Sequence, residues 1–490
     1  MKVIIMGLGI YPNGSGISAA KFFIGKGDEV LITDLKNKKE LAHQIKELEK
    51  FCKSKKKILP KYSLGGHKAE DFSALGGCAS GAKGVDVVMR NPGVPNNSPF
   101  LRLARKAGAT IETDISIFMK SCPATIIGIT GTRGKSTTSA LIYEMLKNKK
   151  TKKQKNKKTF GRVWLGGNIK ISPLSFVGSV KKDDIVVLEL SSWMLENFSE
   201  FKLAPHVAVI TNIYPDHLNI HKNMAEYISA KKNIFKCQKT GDYLILNGEN
   251  KITKKWSRLS LDHKRRVVYS YKKDIAKFFG VKNSPYHSKD YSKDYNPYYL
   301  AGRIKLQGEH NMENIAAALA VAKIMKAPVS RVKKVLKEFG GLADRQEIVA
   351  EKNGITFVND TTATTPDGAI AALRTFGSEK RKAKSEKRII LIAGGSDKGL
   401  DYKQFAKEAK KYCKAVILLP GTATDKIKTV FVGVQNFEPL QAKDMKNAVK
   451  LAKQQAVRGD TILLSPAAAS FGLFKNEFDR GEEFKKAVKP

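Results

Sequence analysis

Residues 131–137, with the sequence GTRGKST, combine the residue types that bind a nucleotide phosphate. Glycines let backbone N–H groups close around phosphate oxygens, a lysine such as Lys135 reaches the outer phosphates, and a hydroxyl such as that of Ser136 can bind Mg²⁺. The segment follows the apolar, β-prone run 124–129 and opens a stretch with apolar residues at helical spacing. A strand, a glycine loop and a helix are therefore predicted, with the positive end of the helix dipole facing an anion.

The loop departs from the general P-loop pattern G-x-x-x-x-G-K-[ST]. That pattern requires a glycine at position 129, where this chain has Ile129. The chain has a shortened form, G-T-x-G-K-S-T, instead. A glycine turn before an ordinary helix, without any ligand, is the alternative interpretation.

The beginning of the chain has a weaker nucleotide signal. Residues 2–6 and 29–33 read as strands, each followed by a helical pattern, and this alternation predicts a parallel α/β sheet. Gly7 and Gly9 follow the first strand, but the next glycines come too late for the dinucleotide pattern G-x-G-x-x-G. Asp34 ends the second strand, where it could bind a ribose or a base or simply stabilise a turn.

Composition excludes several classes of protein. The chain has 490 residues, which favours two to four domains, and no apolar run approaches the roughly 18 residues of a membrane span. Five scattered cysteines without a C-x-x-C pattern indicate free thiols. The net charge of +42 raises the possibility of nucleic-acid binding. The excess of lysine is spread along the chain, and its densest patches lack interleaved aromatic residues, which favours a general lysine-rich surface that attracts anionic substrates.

Strands and helices recur in three successive units. The predicted domains are residues 1–113, 114–341 and 342–490, and the last boundary lies at a Gly-Gly pair. A polar stretch over 282–296 reads as an inserted loop. The fold class expected is α/β, with Rossmann-like terminal domains around a central P-loop ATPase-like domain.

Four further clusters join the phosphate loop in an order that resembles the Mur ligase family over almost the whole chain. Residues 189–193 (ELSSW) resemble E-L-S-S-[FW], residues 212–218 (NIYPDHL) resemble N-[IV]-x-x-D-H-[LM], residues 227–231 (YISAK) resemble Y-x-x-A-K, and residues 308–314 (GEHNMEN) resemble G-x-H-N-x-x-N. The shortened glycine loop is also typical of this family. His217 and His221 alone could suggest zinc, but the H-E-x-x-H glutamate is absent.

The resemblance implies a site for ATP and Mg²⁺. The catalytic residues would be Lys135, Glu189, His217 and Lys231. The metal ligands would be Ser136, Glu189, His217 and Lys231, the last as a carbamate. The ATP-binding residues would be Gly131, Thr132, Gly134, Lys135, Ser136, Thr137, Asn311, Arg345 and Asp360.

The C-terminal motifs resemble those of the family members that add D-glutamate. These motifs are residues 359–364 (NDTTAT), 394–399 (GGSDKG) and 464–471 (LSPAAASF). The substrate-binding residues implied are Asp34, Asn168, Thr364, Lys398, Ser470 and Phe471. Departures from the family pattern are Asp344 for a usual histidine, Lys170 for a glycine, Thr362 for a lysine, Thr365 for an asparagine and Gly472 for an aspartate.

The expected protein is a cytoplasmic, monomeric, ATP-dependent amide ligase of peptidoglycan synthesis. Its expected substrates are UDP-N-acetylmuramoyl-L-alanine, D-glutamate and ATP, without membrane insertion or a nucleic-acid partner. A relative that adds another amino acid is one alternative. A Rossmann-type redox enzyme would use the first domain, and a nucleic-acid-binding P-loop ATPase would explain the charge.

Overall fold

The computed structural model describes residues 1–73, 84–147, 161–169, 171–216, 221–256, 265–280, 303–306, 308–379, 387–431, 438–470 and 472–489. They form two compact units. The first unit comprises Met1–Pro215, Asn223–Ser270 and Ala316–Pro328, and the second comprises Asp216–Lys222, Tyr271–Ile315 and Val329–Pro490. The inserted loop predicted over 282–296 lies outside the described residues, as does most of the lysine-rich segment 147–158.

The first sheet occupies the beginning of the first unit. Its strands are β1 (Lys2–Met6), β2 (Glu29–Asp34), β3 (Lys61–Leu64), β4 (Val87–Arg90) and β5 (Thr110–Glu112). The order is β3-β2-β1-β4-β5, and all pairs are parallel. The helices that accompany it are α1 (Ser15–Lys26), α2 (Ala42–Lys55), α3 (Ala69–Ser73), α4 (Pro99–Lys106) and α5 (Asp114–Ser121).

The second sheet carries the phosphate loop. Its strands are β6 (Thr125–Thr130), β7 (Val163–Gly167), β8 (Ile185–Glu189), β9 (Val207–Ile210), β10 (Tyr243–Asn247) and β11 (Arg265–Tyr269), in the order β11-β10-β9-β6-β8-β7 and all parallel. The helices over this part of the chain are α6 (Lys135–Leu146), α7 (Met224–Lys236), α8 (Lys251–Trp256), α9 (Tyr271–Phe278), α10 (Glu309–Ile324) and α11 (Val329–Glu338). Short 3₁₀ turns lie at Pro173–Ser175, Val177–Ser179 and Trp193–Leu195.

The third sheet belongs to the second unit and is mixed. Its strands are β12 (Glu347–Lys352), β13 (Ile355–Asn359), β14 (Ile389–Gly394), β15 (Cys413–Leu419), β16 (Leu440–Gln441) and β17 (Thr461–Leu464), in the order β12-β13-β17-β14-β15-β16. The pair β12–β13 is antiparallel and the other pairs are parallel. The helices are α12 (Pro366–Glu379), α13 (Lys403–Tyr412), α14 (Thr422–Phe431), α15 (Met445–Gln455) and α16 (Glu477–Val488).

The predicted α/β fold is confirmed, and each predicted domain range holds one sheet. The domain boundaries themselves stay a prediction. In parallel sheets the carboxyl ends of the strands form one edge, where ligands bind. The phosphate loop after β6, Glu189 at the end of β8 and the glycine pair 394–395 at the end of β14 all lie at such ends.

One apolar core joins the first and second sheets within the first unit. Phe118 of α5 packs edge-on against Phe176, with 5.8 Å between ring centroids, and Phe176 stacks on Trp164 of β7 at 4.9 Å. These aromatic contacts belong to a buried cluster that runs from Val3 of β1 to Trp256 of α8. The two sheets are therefore fixed to each other by a continuous core.

A buried guanidinium adds a polar link between the same two sheets. Arg90, at the end of β4, is 1% exposed and donates hydrogen bonds to the carbonyl oxygens of Val94 (2.9 Å) and Trp193 (3.3 Å) and to Oε2 of Glu196 (3.1 Å). Burial raises the pKa of Glu196 even though Arg90 stands beside it. The pair therefore joins the end of the first sheet to the segment that follows β8.

Replacing Arg90 with methionine is expected to lower the free energy of unfolding by about 3 kcal/mol, because removing one partner of a buried pair leaves the other charge uncompensated. The measurement is urea unfolding at neutral pH. Lys61→Met is the matched control, since Lys61 forms an exposed pair with Glu29 and such pairs contribute about 1 kcal/mol or less. Equal effects of the two substitutions would contradict the assignment of Arg90 as a buried link.

No helix among the described residues has the length and apolar character required to cross a membrane.

Candidate active site

The phosphate loop has a backbone that requires glycine at two positions. Gly131 has φ of 149°, and a Cβ there would lie 1.9 Å from Oγ1 of Thr211. Gly134 has φ of 79° and precedes α6 without a side-chain cap. An uncapped helix N-terminus leaves first-turn N–H groups for an anion. The local sequence therefore builds the predicted strand, loop and helix.

The residues that follow β9 hold the phosphate loop in place through hydrogen bonds. The backbone N–H of Thr132 donates to the carbonyl oxygen of Asn212 at 2.9 Å, and that of Arg133 donates to Oδ1 of the same asparagine at 2.8 Å. Thr211 donates its hydroxyl to the carbonyl oxygen of Arg133 at 2.6 Å. The Oγ1 of Thr132 also lies 3.0 Å from the hydroxyl of Tyr227 on α7. The sequence analysis assigned no role to Thr211, Asn212 or Tyr227. Asn212 and Tyr227 nevertheless begin two of the family-like segments, and Thr211 directly precedes the first of them.

Two lysines meet at one backbone carbonyl in this loop. Lys135 donates from Nζ to the carbonyl oxygens of Gly131 (3.1 Å) and Thr132 (3.0 Å). Lys231, which is 1% exposed, donates from Nζ to the same Gly131 oxygen at 2.9 Å, and it lies over the ring of Tyr227. Two ammonium groups that share one acceptor repel each other, so the site favours an anion or the loss of one positive charge.

Glu189 supplies a buried carboxylate on the strand next to the phosphate loop. It ends β8 and pairs in register with Ile129 of β6. Its Oε1 accepts a hydrogen bond from Nδ2 of Asn168 at 2.9 Å, while Oε2 is buried and accepts none from the described residues. An unpaired buried carboxylate oxygen is costly. A divalent cation would satisfy it, so the donor set fits Mg²⁺.

The structure places the two predicted residues of the UDP-sugar site in local networks. Asn168 is exposed and is oriented by its bond to Glu189. Asp34 is buried, and its Oδ2 accepts hydrogen bonds from the backbone of Leu8 (2.8 Å) and Gly9 (3.4 Å). Asp34 therefore stabilises the first glycine loop, and its contact with substrate stays a prediction.

Two of the predicted amino-acid-binding residues are in direct contact. Lys398 donates from Nζ to Oγ1 of Thr364 at 3.1 Å, although the two lie 34 positions apart. Ser470 is buried beside Ala469, which pairs with Ser396 in an isolated β-bridge. Phe471, like His217, lies outside the described residues.

Of the other predicted nucleotide residues, Ser136 and Thr137 lie in the first turn of α6, and Asn311, Arg345 and Asp360 lie in the second unit. Asn311 is buried in α10 and accepts a hydrogen bond at Oδ1 from Asn314 at 3.1 Å. Asp360 is buried after β13, where Oδ2 accepts from the hydroxyl of Ser465 at 2.8 Å. Arg345 is exposed just before β12. The structure therefore fixes Asn311 and Asp360 through neighbouring polar groups.

His310, beside Asn311, is held in its neutral form. Burial lowers its pKa to about 4. Its Nε2 lies 3.2 Å from Nε2 of Gln346. Since an amide nitrogen can only donate, the ring nitrogen accepts and is unprotonated.

This neutral histidine predicts an acid-sensitive fold. The unfolded state, with a histidine pKa of about 6.5, binds more protons than the folded state between pH 6.5 and the folded value of about 4. Stability contributed by neutral His310 is therefore complete above pH 6.5 and falls as the pH is lowered, by up to about 1.4 kcal/mol per pH unit. His310→Gln should reduce this slope in urea unfolding from pH 7 to 4. His43→Gln, at an exposed site on α2, should leave it unchanged, and equal slopes for all three proteins would refute the prediction.

Comparisons with known proteins decide the family. A model described as Mur ligase middle domain matches residues 129–322, and one described as Mur ligase, glutamate ligase domain matches residues 344–468. The UDP-N-acetylmuramoylalanine--D-glutamate ligase of Roseiflexus sp. (strain RS-1) is 36% identical and covers 99% of this chain and 98% of its own length. The enzyme of the same name from Clostridium tetani is 35% identical over 100% of this chain and 96% of its own length. The chain belongs to the Mur ligase family.

Solved structures agree on the fold of this Mur ligase. UDP-N-acetylmuramate-alanine ligase from Thermotoga maritima matches with a TM-score of 0.57 and 20% identity, covering 99% of this chain and 98% of that one. MurF ligase from the same organism, solved in complex with ADP, matches with a TM-score of 0.54 and 15% identity, covering 94% and 95%. The family models and the full-length relatives confirm the family predicted from the five motifs, and the chain is a ligase.

Proposed function

We propose that this Mur ligase joins D-glutamate to UDP-N-acetylmuramoyl-L-alanine while ATP is converted to ADP and phosphate. The observation that carries the proposal is the meeting of Lys135 and Lys231 at the Gly131 carbonyl oxygen. The ammonium of Lys135 at the glycine loop suits the phosphates of ATP, and the unsatisfied Oε2 of Glu189 suits their metal ion. The names of the full-length relatives support D-glutamate as the amino acid.

The proposed reaction has two steps, because a carboxylate does not react with an amine at neutral pH. An oxygen of the L-alanine carboxylate attacks the γ-phosphorus of ATP, the bond to the β–γ bridging oxygen breaks, and ADP leaves. The amine nitrogen of D-glutamate then attacks the carbonyl carbon of the acyl phosphate. The C–O bond breaks, phosphate departs with that oxygen, and the amine loses a proton. Lys135 stabilises charge on the transferring phosphoryl group, and most of the rate comes from positioning.

The proposed Mg²⁺ ligands are Ser136, Glu189, His217 and Lys231 as a carbamate. When bound, the ion would neutralise charge on the ATP phosphates. The carbamate forms when the neutral amine of Lys231 attacks carbon dioxide, making an N–C bond and releasing a proton. This change replaces the cation that competes with Lys135 for the Gly131 oxygen by an anion.

Each of the other predicted residues is proposed to bind one of the three substrates. Gly131, Thr132, Gly134, Thr137, Asn311, Arg345 and Asp360 would bind ATP. Thr364, Lys398, Ser470 and Phe471 would bind the D-glutamate carboxylates, and Asp34 and Asn168 the UDP-sugar. Cytoplasmic location and a monomeric state are part of the same proposal, since the substrates are ATP and a UDP-linked precursor.

The proposal is tested by ADP formation with a panel of UDP-muramoyl precursors and amino acids. Steady-state ADP formation over many turnovers should require both UDP-N-acetylmuramoyl-L-alanine and D-glutamate, and the product should contain one new amide bond. Faster turnover with L-alanine, L-lysine or diaminopimelate would identify a relative that adds another amino acid. ADP formation stimulated by polynucleotides, with steep salt dependence, would support the nucleic-acid alternative instead.

Lys398→Ala is expected to raise the KM for D-glutamate about 30-fold, while the KM for ATP changes little. A charge-assisted hydrogen bond contributes about 2 kcal/mol, which corresponds to that factor. The kinetics should be measured at saturating ATP and UDP-sugar, with Lys407→Ala, an exposed lysine of α13, as the control. An unchanged KM for D-glutamate would remove Lys398 from the site.

A further inference from the structure

The segment between α11 and β12 has an unusual backbone on both sides of Arg345. Asp344 has φ of 64° and Gln346 has φ of 48°, so both are left-handed although neither is glycine. Residues with a Cβ disfavour this region, and they remain there only when surrounding contacts fix them. The two left-handed residues flank Arg345, which is exposed.

Asp344 is fixed by contacts with α16 and β13. Its Oδ1 accepts hydrogen bonds from Nδ2 of Asn359 (2.8 Å) and lies 3.2 Å from Nζ of Lys485. Lys485 also lies 3.1 Å from Oε2 of Glu347, which accepts from the backbone N–H of Asp344 at 2.8 Å. Gly481 lets α16 approach, because a Cβ there would lie 2.7 Å from Oδ1 of Asp344.

Gln346 is fixed on the other side of the arginine. Its backbone N–H donates to Oδ1 of Asp360 at 3.2 Å, and its side chain reaches the ring of His310. Asp360 is itself held by Ser465. The backbone of Arg345 is therefore anchored through both neighbours, and one anchor is a residue proposed to contact the nucleotide.

We propose that Asp344, held by Lys485, is a positioning residue that sets the backbone of residues 344–346 and so fixes Arg345 in the conformation that binds the nucleotide. The inference rests on the proposed function, which places Arg345 at the nucleotide. Asp344 acts only through Arg345 and touches no substrate. The pair Asp344–Lys485 takes the place of the histidine expected at this position, because a carboxylate can bind a lysine from α16 and an asparagine from β13 together.

The test is a double-substitution cycle with KM for ATP, KM for D-glutamate and kcat as readouts. Asp344→Ala is expected to raise the KM for ATP at least tenfold and to leave the KM for D-glutamate unchanged. In an Arg345→Ala background the same substitution should have no further effect on the KM for ATP. Asp344→Gly removes the carboxylate but permits the left-handed backbone, and it should resemble Asp344→Ala if the carboxylate contacts are decisive.

Lys485 provides a second route that does not alter the strained residue. Lys485→Met should reproduce the rise in KM for ATP, and Lys485→Arg should restore most of the affinity. Lys486→Met is the matched control, since Lys486 pairs with Glu483 on the exposed side of the same helix. Each variant should have a thermal unfolding midpoint above the assay temperature, which separates loss of fold from loss of positioning. If Asp344→Ala does not fold, Lys485→Met decides the test.

Additive effects of Asp344→Ala and Arg345→Ala on the KM for ATP would overturn the inference. Equal rises in the KM for ATP and for D-glutamate would overturn it as well, because they would indicate a purely structural role. A wild-type protein that forms no ADP with the UDP-sugar and D-glutamate would instead contradict the proposed function. Arg345→Ala without effect on ATP in an active ligase would overturn the positioning role alone.

Discussion

Replacing Lys135 with alanine is expected to lower kcat for ADP formation at least a thousandfold while the protein stays folded. The ammonium group lies at the phosphate loop, where it donates hydrogen bonds to the carbonyl oxygens of Gly131 and Thr132. Charge that develops on a transferring phosphoryl group would lose its nearest lysine, and a thousandfold loss corresponds to about 4 kcal/mol of barrier. The side chain is only half-buried, so its removal leaves the apolar core intact.

The control for this substitution lies at the C-terminal end of the same helix. Lys147→Ala removes a lysine just beyond the last residue of α6, where it pairs with Glu144, and it should leave kcat within a factor of about two because such surface pairs contribute little. Circular dichroism and thermal unfolding should match the wild type for both variants. A folded Lys135→Ala protein with near-normal turnover would exclude residues 131–137 as the phosphate site.

Lys231→Ala is expected to lower kcat at least a hundredfold. Lys231 is buried and shares the Gly131 oxygen with Lys135, so an ammonium there would oppose both the second lysine and a metal ion. As a carbamate, the same side chain would carry the negative charge that Mg²⁺ prefers. Short carboxylates such as acetate should partly restore the alanine variant, because they supply the missing anion in the space that the side chain leaves.

The matched control is Lys232→Ala, since Lys232 follows directly on α7 and lies over the ring of Trp256 instead. Wild-type protein incubated with carbon-13-labelled bicarbonate should give a carbamate resonance that Lys231→Ala lacks and Lys232→Ala retains. Full activity of the Lys231→Ala protein would refute the role of Lys231. If Lys231→Ala loses activity but the wild type shows no carbamate signal, Lys231 is essential and the proposed carbamate is refuted.

Local sequence was sufficient to predict the phosphate loop. The apolar run before Gly131 predicts a buried strand, Gly131 and Gly134 stand where φ is positive, and the helical spacing that follows predicts α6. Each of these signals depends on neighbours in the chain. The motif resemblance added Glu189 and Lys231, which the structure places on the adjacent strand and against the loop.

Contacts between distant segments could not be predicted in this way. The shared contact of Lys135 and Lys231 with Gly131 depends on how α7 packs, and the bond from Asn168 to Glu189 depends on β7 lying beside β8. The antiparallel strand β12 is not predicted from the sequence, because its apolar run covers only residues 348–350 and is flanked by charged residues. Sheet order and edge pairing arise from tertiary packing, which local periodicity does not encode.

The most direct test of the account is the fate of the substrate's carboxylate oxygen. UDP-N-acetylmuramoyl-L-alanine labelled with oxygen-18 in the L-alanine carboxylate should be converted with ATP and D-glutamate, and the phosphate released should be examined by mass spectrometry. An acyl phosphate intermediate predicts that each phosphate carries one labelled oxygen and that the other label remains in the new amide carbonyl. Phosphate without label, formed at the same rate as the product, would contradict the proposed ligation through an acyl phosphate.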